Sequence, residues 1–94
     1  MIENLDLHDA TLVSVQIIWA DGTCIVKVEH SRLSDCILTF SGVSSVTVPR
    51  THPWGPSRSI NSARQQSLGH YEIEMQSGDV IEIFASEVEL TSIV

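Results

Sequence analysis

Apolar and polar residues alternate along most of the chain. Thr11 to Trp19 and Thr23 to His30 are rich in Val, Ile and Thr and flank Asp21-Gly22, the composition and turn dipeptide of a β-hairpin. A two-residue turn pairs Trp19 with Cys24, Ile17 with Val26, Val15 with Val28 and Val13 with His30 on one face. It leaves Gln16 with Lys27 and Ser14 with Glu29 on the other. A three-residue loop would set Val15 against Lys27 and Val13 against Glu29, so the two-residue register is the prediction. Ile18 and Ile25 are apolar exceptions on the polar face.

The same test gives a different turn near the C-terminus. Tyr71, Ile73 and Met75 alternate with Glu72, Glu74 and Gln76. A three-residue loop, Gln76-Ser77-Gly78 with Gly78 left-handed, pairs Ile73 with Ile81 and Tyr71 with Ile83, whereas a two-residue turn would set Ile73 against Glu82. Glu72, Glu74 and Glu82 then share the outer face with Phe84, which has no evident burial partner. Glu87 to Leu90 forms a short last strand.

Between the hairpins, Cys36, Leu38 and Phe40 alternate with Ile37 and Thr39. Pairing Val28 with Leu38 and Val26 with Phe40 sets His30 against Cys36 and Cys24 against Gly42. The two cysteines then share a face ~20 Å apart, too far for a disulfide, and are expected as buried thiols. Gly42 to Val48 reads as a further strand that begins with a bulge or bend at Gly42 and stops at Pro49. From Arg50 to Gly69 the pattern breaks at Pro53, Gly55 and Pro56; a long irregular connection is expected, with Ser62 and Gln65 capping at most a turn of helix.

These elements predict one mainly β domain over residues 1–94. It is an antiparallel sheet of five or six strands, half-barrel-like or packed on the Arg50 to Gly69 segment. The expected core is Val13, Val15, Ile17, Val26, Val28, Leu38, Phe40, Ile73, Met75, Ile81 and Ile83. A chain of 94 residues that is 43% hydrophobic can bury such a core without staples.

Charge narrows the partners. The net charge of -7 repels phosphate backbones, so neither nucleic acid nor an anionic membrane is expected, and a basic protein partner is favoured. Residues up to Asp35 carry -4, Cys36 to Tyr71 carries +3 from Arg50, Arg58 and Arg64, and the remainder carries -6. A basic segment thus sits on an acidic body. The acidic N-terminus and the absence of a long apolar run predict a cytoplasmic protein.

Motifs for chemistry are sparse. There is no CxxC, HxH, HExxH or GxSxG, and the five glycines are dispersed; no metal or cofactor is expected. His8-Asp9 is the best acid/base pair in sequence, although adjacent residues of a strand would face opposite ways. Pro53-Trp54-Gly55-Pro56-Ser57 with Ile60-Asn61 is the most individual stretch, able either to fold Trp54 over the core or to display it to a partner.

Leu7-His8-Asp9-Ala10, Pro53-Trp54-Gly55-Pro56-Ser57 with Ile60-Asn61, and Tyr71-Glu72-Ile73-Glu74-Met75-Gln76-Ser77-Gly78-Asp79 resemble a family of small uncharacterised bacterial proteins. The chain is also distantly similar to all-β immunity proteins of polymorphic toxin systems. The second resemblance implies a stoichiometric inhibitor of one toxin and carries over no catalytic residue. The function expected is therefore a non-enzymatic protein-binding module with Arg50, His52, Trp54, Arg58, Asn61 and Arg64 as its recognition surface. The alternative is a small hydrolase or metal-dependent enzyme using His8, Asp9, His52 and His70. A homodimer is also expected, through Ile18, Ile25 and Phe84.

Overall fold

The computed structural model describes residues 4–5, 7–30, 35–51 and 58–93. The strands are β1 (Asn4–Leu5), β2 (Thr11–Ile18), β3 (Thr23–Glu29), β4 (Asp35–Ser41), β5 (Ser45–Thr47), β6 (Ile60–Ser67), β7 (His70–Met75), β8 (Val80–Phe84) and β9 (Glu87–Ile93). All pairings are antiparallel, as expected for a mainly β chain. The strands outnumber the expected five or six because they divide between two sheets: β1-β6-β7-β8-β5 and β2-β3-β4-β9. Among the described residues no helix is long and apolar enough to cross a membrane.

The division happens at a bend. β4 pairs with β9 up to Ser41 opposite Glu87, and β5 pairs with β8 from Ser45 opposite Phe84. β4–β5 and β8–β9 are thus two continuous stretches that change sheets together, a corner of the kind that joins packed sheets. Gly42 makes the corner with φ +63°, as its sequence position predicted, and the Ser86 amide donates to the Ser41 carbonyl at 2.9 Å. A second junction lies between Leu7 and Leu12, where the Leu12 amide donates to the Arg58 carbonyl (2.8 Å) and the Ile60 amide to that of Ala10 (2.9 Å).

The core lies between the inner faces. Val26, Val28, Leu38 and Phe40 meet Ile60, Ala63, Tyr71, Ile73, Met75, Ile81 and Ile83, all buried. The Phe40 and Tyr71 rings pack edge-on at 5.3 Å, a favoured aromatic geometry.

The last hairpin has the predicted register: Ile73 opposes Ile81, Tyr71 opposes Ile83, and Gly78 is left-handed at φ +102°. The first hairpin differs. Its loop is four residues, a 3₁₀ turn at Trp19–Asp21 closed by Gly22 at φ +61°, so Ile17 opposes Cys24 and Val15 opposes Val26. The slip is two positions, which preserves which side chains share a face; face parity therefore could not detect it. β3 and β4 are offset by two in the same way, with Val28 opposite Cys36 and Cys24 opposite Phe40. Cys24 and Cys36 are buried free thiols, four positions apart along the ladder or about 13 Å.

Two expected core residues are exposed. A bulge at Val13 turns Leu12 inward opposite Val28 and Val13 outward, and Ile17 is 52% exposed. The facing strand β5 is only three residues long, too short to cover that end of β2. The Arg50 to Gly69 segment also differs from expectation, since Ile60–Ser67 is a strand between β1 and β7. Its alternation is masked by bulges after Ile60 and Gln65, and it contributes only Ile60 and Ala63 to the core. The expected helical turn at Ser62 to Leu68 is instead the end of β6 and a tight turn at Leu68-Gly69, with Gly69 at φ +79°.

Candidate functional site

The first cluster is an open cleft between the two sheets. Its walls come from β2, from the segment after β5 and from the β7–β8 hairpin: Leu12, Val13, Val15, Val48, Met75 and Ile81. Arg50 and Arg58 also line it, and its volume is about 440 Å³. Main-chain bonds set both arginines. Thr11 bridges to Ser59 and the Leu12 amide holds the Arg58 carbonyl, while beside Arg50 the Thr51 amide donates to the side-chain Oδ1 of Asp79 at 3.5 Å. Asp79 is buried in the tight β7–β8 turn, where its Oδ2 accepts from the Ser77 hydroxyl at 3.1 Å. Among the described residues neither guanidinium forms an ion pair. The cleft is therefore a largely apolar trough with two arginines and the carboxylate residue Asp79 on its lining, of a size that suits an organic ligand or an extended side-chain row.

The second cluster surrounds His8-Asp9. These residues lie in a turn before β2, so they are free of the opposite-facing rule for strands: His8 Nδ1 is 3.2 Å from Asp9 Oδ2. Asp9 takes φ +69°, a conformation Asp tolerates better than most residues. Its amide donates to the Ile60 carbonyl and its Oδ1 accepts from Gln76 Nε2 at 2.6 Å. Asn61 and Glu74 complete a shallow depression. His8 and Asp9 are largely exposed, so their pairing is worth little energetically.

The third cluster is a cross-strand row on the outer face of β6, β7 and β8. Arg64 opposes Glu72, and Glu72 opposes Glu82. Arg64 Nη2 lies 3.4 Å from Glu72 Oε1, and His70 Nε2 lies 3.0 Å from Glu82 Oε2. Phe84, which the sequence left without a partner, stacks on His70 at 4.3 Å and 8° between ring planes.

The sequence-predicted recognition surface is thus divided. Arg50 and Arg58 share the cleft, Asn61 belongs to the His8 depression, and Arg64 pairs with Glu72. His52 and Trp54 lie outside the described residues. The alternative catalytic set is divided too. His8 and Asp9 sit at the Met75 end of β7, and His70 is at the other end, about 17 Å away along the strand. Ile18 and Ile25 are half-buried on the β2–β3 sheet, and Phe84 is on the other sheet. Sequence reasoning missed the His70–Glu72–Glu82 grouping, although the i, i+2 spacing of His70 and Glu72 with Glu82 opposite signals it once the hairpin register is known. Comparison with family models, curated proteins and solved structures finds no match.

Proposed function

We propose that the chain is a non-enzymatic protein-binding module whose cleft receives an extended segment of its partner. The observation that carries this is the joint presence of Arg50 and Arg58 in a trough walled by apolar side chains of both sheets, in a protein of net charge -7. The segment is acidic where it meets the guanidinium groups and apolar where it meets Val13 and Val48. Arginine is the cation best suited to such a contact, because its planar fork matches a carboxylate and it is weakly hydrated. Among the described residues β2 has no strand neighbour opposite β3 beyond the Thr11–Ser59 bridge, which favours main-chain addition of the partner along this edge. A toxin inhibitor of the kind the chain distantly resembles would work through this surface. A basic partner, the expectation from net charge alone, would instead meet the outer face of Glu72, Glu74 and Glu82.

Selection of displayed peptides against the immobilised protein tests the proposal. Enriched sequences should place Asp or Glu among β-branched residues, and Arg50→Glu with Arg58→Glu should weaken a synthesised winner by at least about 30-fold, the loss expected when even one interfacial arginine contact worth about 2 kcal/mol is removed. Enrichment of basic peptides, or winners indifferent to the arginine variant, would overturn the cleft as the docking site in favour of the acidic face.

A further inference from the structure

The row on the outer face carries an assignment independent of the cleft. The β7–β8 register sets Glu72 directly opposite Glu82, an arrangement in which like charges destabilise a sheet unless something compensates them. Arg64 reaches only one of the two, at Glu72 Oε1, an oxygen that also accepts from Gln66 Nε2. Glu72 Oε2 is turned toward His70 Nε2 at 3.9 Å, beyond hydrogen-bonding reach, while His70 Nε2 is 3.0 Å from Glu82 Oε2. One donor atom from each of His70, Glu72 and Glu82 lies within 4.8 Å of the others.

The geometry points to a divalent cation site of the zinc type formed by His70, Glu72 and Glu82. Two donors bound to zinc at ~2.1 Å in a tetrahedral arrangement stand roughly 3.4 Å apart. The observed 3.0 and 3.9 Å fall on either side of that separation and the two carboxylate oxygens stand no more than 4.8 Å apart, so modest side-chain movements bring the three donors around one ion. The supporting groups are already in place. Stacking on Phe84 fixes the imidazole plane, and Arg64 with Gln66 occupies one oxygen of Glu72 and aims the other. Such outer contacts orient ligands in metal sites. One imidazole nitrogen with two carboxylate oxygens suits zinc better than magnesium or calcium, which take oxygen donors in larger number. Three protein donors on a half-buried sheet face leave a coordination position for water or a partner's side chain. A dication also supplies the charge that a lone arginine does not.

Calorimetric titration of zinc chloride into the metal-stripped full chain, in a non-chelating buffer, decides the matter. One zinc per chain is expected, with magnesium far weaker. His70→Ala and Glu82→Gln should each weaken zinc at least about 10-fold, while His8→Ala, at the other end of β7, should leave it unchanged. Circular dichroism of each variant separates lost binding from lost fold, and the imidazole nitrogen resonances of His70 should move on zinc addition in the wild-type chain. Zinc binding of equal strength in wild type and His70→Ala, or no binding at millimolar zinc, would overturn the site and leave His70–Glu82 as a cross-strand hydrogen bond only.

Discussion

Replacing Gly42 by Ala should be among the most damaging single-methyl changes in this protein. A Cβ at Gly42 would stand 2.9 Å from the Ser86 Cβ, and closer still to its hydroxyl oxygen, on a backbone with φ +63°. An L residue at such a φ costs about 1–2 kcal/mol, and forcing a methyl into a filled site costs about 1–3 kcal/mol more. Ser86 cannot easily retreat, because its amide is bound to the Ser41 carbonyl at 2.9 Å at the point where both strands change sheets. Gly22 is the internal control, since its φ is +61° but the nearest atoms to a Cβ there are 3.9 Å away. Gly22→Ala should therefore lose only the backbone part. With roughly 4–8 °C of melting temperature per kcal/mol in a domain of this size, thermal denaturation should show Gly42→Ala falling by about 8–40 °C and Gly22→Ala by about 4–16 °C, with Gly42→Ala the lower of the two. Ser86→Gly deletes both clashing atoms and leaves the Ser86 nitrogen at an ordinary 3.5 Å. In the Gly42→Ala background it should recover about 1–2 kcal/mol, a coupling that a double-mutant cycle reads directly. Equal losses at Gly42 and Gly22, or an additive cycle with Ser86, would refute the steric account of the corner.

Burial raises the Cys24 thiol above its ordinary value of 9.0, and the folded chain therefore holds that proton to higher pH than the unfolded chain. Stability should be intact below pH 9 and fall above it, and Cys24→Ala should flatten that alkaline decline in melting temperature; an identical decline in the variant would sink the claim. Both thiols should also resist Ellman's reagent in the native state and react once guanidinium unfolds the chain, since Cys24 and Cys36 are buried. Asp79→Ala should cost about 1–3 kcal/mol by chemical denaturation, because it removes the acceptor of the buried Ser77 hydroxyl and that of the Thr51 amide. A loss below about 0.5 kcal/mol would show that this turn does not depend on the carboxylate.

Alternation along single strands was enough to determine that this is an antiparallel β protein and which face of most strands is buried. Ile73, Met75, Ile81 and Ile83 were placed correctly in both face and register, because the wrong turn length there would have buried Glu82. In the first hairpin the competing registers differ by an even number of residues and bury the same face, so side-chain polarity carried no information; the 3₁₀ turn ending at Gly22 made the choice. Pairing partners decided the rest. Ile60–Ser67 has little apolar alternation and becomes a strand because β7 pairs along one side of it and β1 pairs with Ala63 and Arg64 on the other. The bend at Gly42 was legible as a glycine in a β-prone run, but its pairing with Ser86, forty-four residues on, which splits the strands into two sheets, was not. The functional groups follow the same rule. Arg50, Arg58 and Arg64 are a basic segment in sequence, and only the tertiary structure sends the first two to a cleft and the third to Glu72. His70, Glu72 and Glu82 come from both strands of a hairpin, so their convergence depends on cross-strand register, a property of two strands together that neither strand's own sequence contains.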